Sequence, residues 1–180
     1  TRLDEAERWT LKAGDRRYVV RGGSSIIAYI VGSQPAATTG LRLIGAHTDS
    51  PGLRLKPKPA EESAGMVRLG VEVYGGPILA TFADRDLSLA GRVNVRIPGG
   101  FETRLIRFDE PLLRLPNLAI HMNREVNESG LKFNKQTELP LLLGVSEDGV
   151  KAEARFREPI AARLGVSRGT VTHRLARLED

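Results

Sequence analysis

The sequence predicts an α/β fold, strand-rich over most of its length and helical in its tail. Three features lead there. Short apolar, β-branched runs are bounded by Gly and Pro clusters, as in 17–20, 25–31 and 41–46. Residues 53–59 and 66–74 alternate apolar with polar, the period of a strand with one buried face. Near the end, Ala161, Leu164, Val166, Val171 and Leu175 suit two helices packed across a turn at Gly165.

The first eleven residues are polar, with Leu3, Ala6 and Trp9 spaced among them, and read as a short helix or an irregular lead-in. Arg17-Tyr18-Val19-Val20 and Ser25-Ile26-Ile27-Ala28-Tyr29-Ile30-Val31, joined through Gly22-Gly23, predict a hairpin. A polar loop holding Pro35 leads to Leu41-Arg42-Leu43-Ile44-Gly45-Ala46, which predicts a buried strand. Leu53-Arg54-Leu55-Lys56-Pro57-Lys58-Pro59 predicts an edge or exposed strand closed by its prolines. Residues 66–74 predict a strand with Val67, Leu69, Val71 and Val73 on one face, Arg68 and Glu72 on the other, and Glu72 in solvent. Residues 87–96 and 103–108 predict a strand pair around Pro98-Gly99-Gly100. From 112 to 138 the chain becomes loop-like.

Composition narrows the chemistry. A chain of 180 residues has room for one domain, or one and a partial second. No apolar run is long enough to cross a bilayer, and the N-terminus carries no secretory pattern. The absence of cysteine rules out disulfides and thiolate metal sites and suits a cytoplasmic protein. Metal chemistry would have to use carboxylates and the three histidines, His47, His121 and His173. The net charge of +5 raises the question of nucleic acid, but the basic residues are spread along the chain, which favours a solvated surface.

His47 and Asp49 stand just beyond the run 41–46, where the predicted strand would end. On an extended chain, side chains two residues apart share a face, and open α/β sheets bind ligands beyond the carboxyl ends of their strands. An imidazole is the commonest zinc ligand, and its second nitrogen usually donates to a carboxylate. His47 is thus a candidate metal ligand and Asp49 a candidate orienting acid. A lone His-x-Asp at a strand end is more often a turn with an Asx cap than a metal site, and one histidine falls short of the three protein ligands of catalytic zinc. Asp84 and Asp86 flank Arg85, so a local ion pair or turn accounts for them better than acid–base chemistry.

Ile44-Gly45-Ala46-His47-Thr48-Asp49-Ser50-Pro51 resembles the first metal-binding motif of the aspartyl aminopeptidases, the M18 family of zinc exopeptidases. Further segments match in the same order: Gly22-Gly23-Ser24-Ser25-Ile26-Ile27-Ala28, Leu69-Gly70-Val71-Glu72-Val73-Tyr74-Gly75-Gly76, and the DRDL-containing Phe82-Ala83-Asp84-Arg85-Asp86-Leu87-Ser88-Leu89-Ala90-Gly91-Arg92-Val93. Two segments resemble the family's second domain, Leu118-Ala119-Ile120-His121-Met122-Asn123-Arg124-Glu125-Val126-Asn127-Glu128 and Phe133-Asn134-Lys135-Gln136-Thr137-Glu138-Leu139. The resemblance covers the chain to about residue 144.

That resemblance implies a zinc-dependent aminopeptidase that removes N-terminal Asp or Glu from peptides, with two Zn2+ per complete site, working as a homo-oligomer. It implies that His47 ligates zinc, that Asp49 orients the site, and that His121 reaches a neighbouring subunit's substrate. The implied layout is the N-terminal part of a catalytic domain at 1–93, part of an inserted β-rich assembly domain at 94–146, and a helical tail at 147–180. The family's bridging Asp, general-base Glu and later ligands are not matched by any segment here, Glu61-Glu62 included. The expectation is therefore a truncated chain, inactive alone, binding zinc weakly at most, with exposed apolar surface on its half-built sheet.

The tail supports an alternative of another class. Ser167 could cap a second helix carrying Arg168, Thr172, His173, Arg174 and Arg177, a helix-turn-helix pattern suited to DNA. Ile160-Ala161-Ala162-Arg163-Leu164-Gly165-Val166 also resembles the M18 helix that returns to the catalytic domain, after which an acidic segment and a strand follow in the family, but from Ser167 onward the local pattern favours the helix-turn-helix.

Overall fold

The computed structural model describes residues 1–172. They fall into two units, Thr1–Thr48 and the part that begins at Asp49. The expected boundary at 93/94 falls inside a strand of the second unit, and that at 146/147 just after another.

In the first unit, β1 (Arg16–Arg21) and β2 (Ser25–Ile30) form the expected antiparallel hairpin, from Arg16 opposite Ile30 to Arg21 opposite Ser25. Gly22 and Gly23 turn the chain at φ +57° and +71°, a conformation costly for side chains with a Cβ. The lead-in is irregular rather than helical, and Arg2 bridges to Tyr18. One helical turn follows, α1 (Ala36–Thr39).

Residues 41–46 do not form the predicted strand. Leu41, Leu43 and Ile44 are 74%, 85% and 100% exposed. An isolated extended segment has nowhere to send its backbone hydrogen bonds, so apolar character alone does not make a strand. No strand among the described residues pairs with it.

The second unit stacks two sheets around one apolar core. The larger has the order β3-β4-β9-β8-β5, with β3 (Gly52–Ser63), β4 (Met66–Tyr74), β5 (Asp86–Leu87), β8 (Leu113–Arg114) and β9 (Leu141–Val145). The smaller has the order β10-β6-β7, with β6 (Ala90–Ile97), β7 (Gly100–Arg107) and β10 (Val171–Thr172). β3 is an edge strand as expected, but it is half-buried rather than exposed, with Leu53 and Leu55 in the core. It also continues past Pro57 and Pro59, because the pairing with β4 shifts between Leu55 and Ala60 and frees the prolines from the ladder. β4 has the predicted bounds, with Val67, Leu69 and Val71 buried and Glu72 exposed. The pair β6–β7 also forms, while Leu87 belongs to β5.

The loop region holds a 3-10 turn at Ile120–Met122 and the short α2 (Val126–Ser129). Over the described residues the tail departs from the helix-turn-helix reading and takes the other order, a helix and then a strand. Its helix, α3 (Ala152–Leu164), starts well before Pro159, which lies inside it. Phe156, Ile160 and Ala161 bury in the core, and Gly165 ends the helix at φ +64°. The second helix of a helix-turn-helix does not form over the described residues. Arg168–Thr170 is a single 3-10 turn, and Val171 and Thr172 pair with Val95 and Asn94 of β6. β-branched Val171, buried beside β6, gains a ladder and a core contact that an exposed helix would not give it. His173, Arg174, Leu175 and Arg177 lie outside the described residues.

Candidate metal and substrate site

His47 is exposed in the irregular segment near the end of the first unit. The strand that was to aim it and Asp49 at one face is not formed.

Asp49 opens the second unit, partly buried. Its Oδ2 accepts a 2.6 Å hydrogen bond from the hydroxyl of Tyr74, the last residue of β4. The turn after β4 keeps this loop close: Gly75 has φ +71°, and a Cβ there would stand 3.0 Å from Cβ of Pro51. The 49–51 segment is thus anchored to the end of β4 by a charge-assisted hydrogen bond and by a glycine contact. Sequence reasoning placed Tyr74 only as the end of a strand. Its hydroxyl beside a glycine turn was the available signal, but nothing local tied it to an acid 25 residues earlier.

His121 lies in the exposed 3-10 turn, between Ile120 and Met122, which are 46% and 74% exposed. It stands on the surface of the second unit, beyond β8. Asp86 is paired, but with Arg114 at 2.8 Å rather than with its neighbour Arg85. Asp84, at φ +53°, accepts from the backbone N–H of Asn117. Both acids therefore fasten the 84–86 turn to the β8 region. Glu61 pairs with Arg68 across β3 and β4 at 2.9 Å.

Among the described residues, no group of three or more His, Asp or Glu could together hold a metal ion. One exposed imidazole does not amount to a catalytic zinc donor set, so no metal-dependent step follows from these residues alone. No helix among the described residues is long and apolar enough to cross a membrane.

The sequence profile of the Aminopeptidase I zinc metalloproteases (M18) matches residues 1–172. The chain belongs to the M18 family. It is 50% identical over 169 residues to the probable M18 family aminopeptidase 2 of Stutzerimonas stutzeri, covering 94% of this chain and 39% of that protein. The Pseudomonas putida counterpart is 54% identical over 162 residues, covering 89% of this chain and 38% of the relative. This M18 chain thus spans about two-fifths of the length of the curated relatives it matches. Its fold matches Ape4 from the Ape4–Nbr1 complex with a TM-score of 0.77 at 35% identity, over 99% of this chain and 38% of that one. Chaetomium thermophilum mApe1 matches with a TM-score of 0.76 at 31% identity, over 99% and 42%. The mApe1 dodecamer of S. cerevisiae shares the fold, with a TM-score of 0.69 at 23% identity over 99% and 40%.

Proposed function

We propose that this M18 chain supplies part of a cytoplasmic, zinc-dependent aminopeptidase that removes N-terminal Asp or Glu and works as a homo-oligomer. The observation that carries the reading is the family match across residues 1–172, which includes the segment of His47 and Asp49. In this reading His47 is a ligand in a site for two zinc ions. Asp49, held by Tyr74, orients that site. His121, exposed on its turn, hydrogen-bonds the substrate carbonyl of a neighbouring subunit, where an imidazole N–H can stabilise developing negative charge. When bound, zinc supplies Lewis-acid polarisation and an activated water. Self-association finds support in the yeast neighbour, which is a dodecamer.

The test is a chimera that continues this chain with the remaining length of a curated relative, assayed on N-terminal aspartyl, glutamyl and leucyl peptides. Acidic residues are expected to leave at least about tenfold faster than Leu, a transition-state preference of about 1.4 kcal/mol. Equal rates would overturn the acidic preference. A folded, zinc-loaded chimera that releases none of these residues would overturn the enzymatic reading.

A further inference from the structure

We propose that the free edge of β7 is a self-pairing surface, where β7 of a second copy adds antiparallel about a two-fold axis at Thr103. β7 ends the sheet β10-β6-β7. Its hairpin with β6 closes on Ile97 opposite Gly100, through Pro98 and a Gly99 at φ +84°. The closing pair of such a two-residue turn is hydrogen-bonded, so the pairs 95–102, 93–104 and 91–106 are hydrogen-bonded to β6 as well. Phe101, Thr103 and Leu105 therefore turn their N–H and C=O groups to the open edge. Among the described residues, they make no backbone hydrogen bond outside the β6 ladder.

The side chains on this strand match themselves in one register. Centring the pairing on Thr103 sets Phe101 opposite Leu105 of the second copy and Glu102 opposite its Arg104, each twice. Phe101 and Leu105 are 59% and 81% exposed, a large apolar display for a sheet edge. Glu102 and Arg104 form an ion pair within the strand at 2.7 Å. In the proposed register they are the non-hydrogen-bonded pair, whose side chains approach most closely across the strands. The backbone agrees independently, since this register exchanges hydrogen bonds at 101, 103 and 105, the positions whose groups face outward. The resulting interface is isologous, as a two-fold requires. The inference rests on the homo-oligomer reading and names the surface that serves it.

The chain has no cysteine, so a single introduced thiol reports on one position. At a hydrogen-bonded antiparallel pair the Cα atoms lie about 5.5 Å apart, within disulfide range. Thr103→Cys in the 180-residue chain is therefore expected to form a disulfide-linked dimer under mild oxidation. Leu105→Cys is not, because its counterpart lies about 14 Å away. Glu102→Arg is expected to weaken self-association about tenfold, by placing Arg opposite Arg, and Glu102→Arg/Arg104→Glu to restore it. Sedimentation separates the two ways of failing. Oligomers without the selective Thr103 crosslink, or indifferent to Glu102→Arg, would overturn the β7 edge and leave the assembly reading standing. A monomer at every concentration would overturn both.

Discussion

Asp49 is held in place by a residue remote in sequence. The Tyr74 hydroxyl donates to its carboxylate at 2.6 Å, and Pro51 packs into the space that Gly75 leaves open. Tyr74→Phe keeps the ring and removes only the donor. It is expected to lower unfolding free energy by about 1 kcal/mol, measured by urea denaturation. No change would mean that the hydrogen bond contributes nothing to anchoring the loop. Asp49 could be singled out as a candidate from the sequence, because a His-x-Asp after an apolar run has a chemical reading. Its anchor was not, since the contact arises only when β4 folds back beside 49–51. The same limit applies to Asp86, whose counter-charge is Arg114, 28 residues on, and not the adjacent Arg85.

At the scale of elements, the hairpin β1–β2, the strand β4 and the pair β6–β7 were legible because each rests on local signals. Alternation sets the faces of β4, and glycines or Pro-Gly set the turns. Two elements misled. The run 41–46 has strand composition but no ladder, and pairing is not a local property. The tail carries a basic, helix-compatible pattern, yet Val171 and Thr172 join β6 because an open strand edge was available there. α3 serves as the lid of the core. Ile160, fully buried, faces that core from the turn after Phe156. Ile160→Ala is expected to cost about 3 kcal/mol, from lost transfer energy and the cavity left behind. Chemical denaturation checks this, and a cost below about 1 kcal/mol would contradict α3 as part of the core.

The whole chain holds two units of different character. The part from Asp49 onward builds a core from both its sheets and α3, with Leu69, Val93, Leu115, Leu139, Leu141 and Ile160 fully buried. The first unit buries Val19 but leaves Ile26, Ile27 and Ile30 of β2 more than half exposed, along with Leu41, Leu43 and Ile44. Its apolar surface is large for its size. His47 stands at the end of this exposed run. The zinc ligation proposed for His47 is directly measurable, because the chain has three histidines. The measurement is the imidazole spectrum by 1H–15N NMR during a zinc titration of the 180-residue chain, with signals assigned by His47→Ala, His121→Ala and His173→Ala. The His47 resonances are expected to move at the lowest zinc, ahead of the other two, and His47→Ala to abolish that first phase. Zinc that shifts His121 or His173 first, and leaves His47 unmoved, would contradict it.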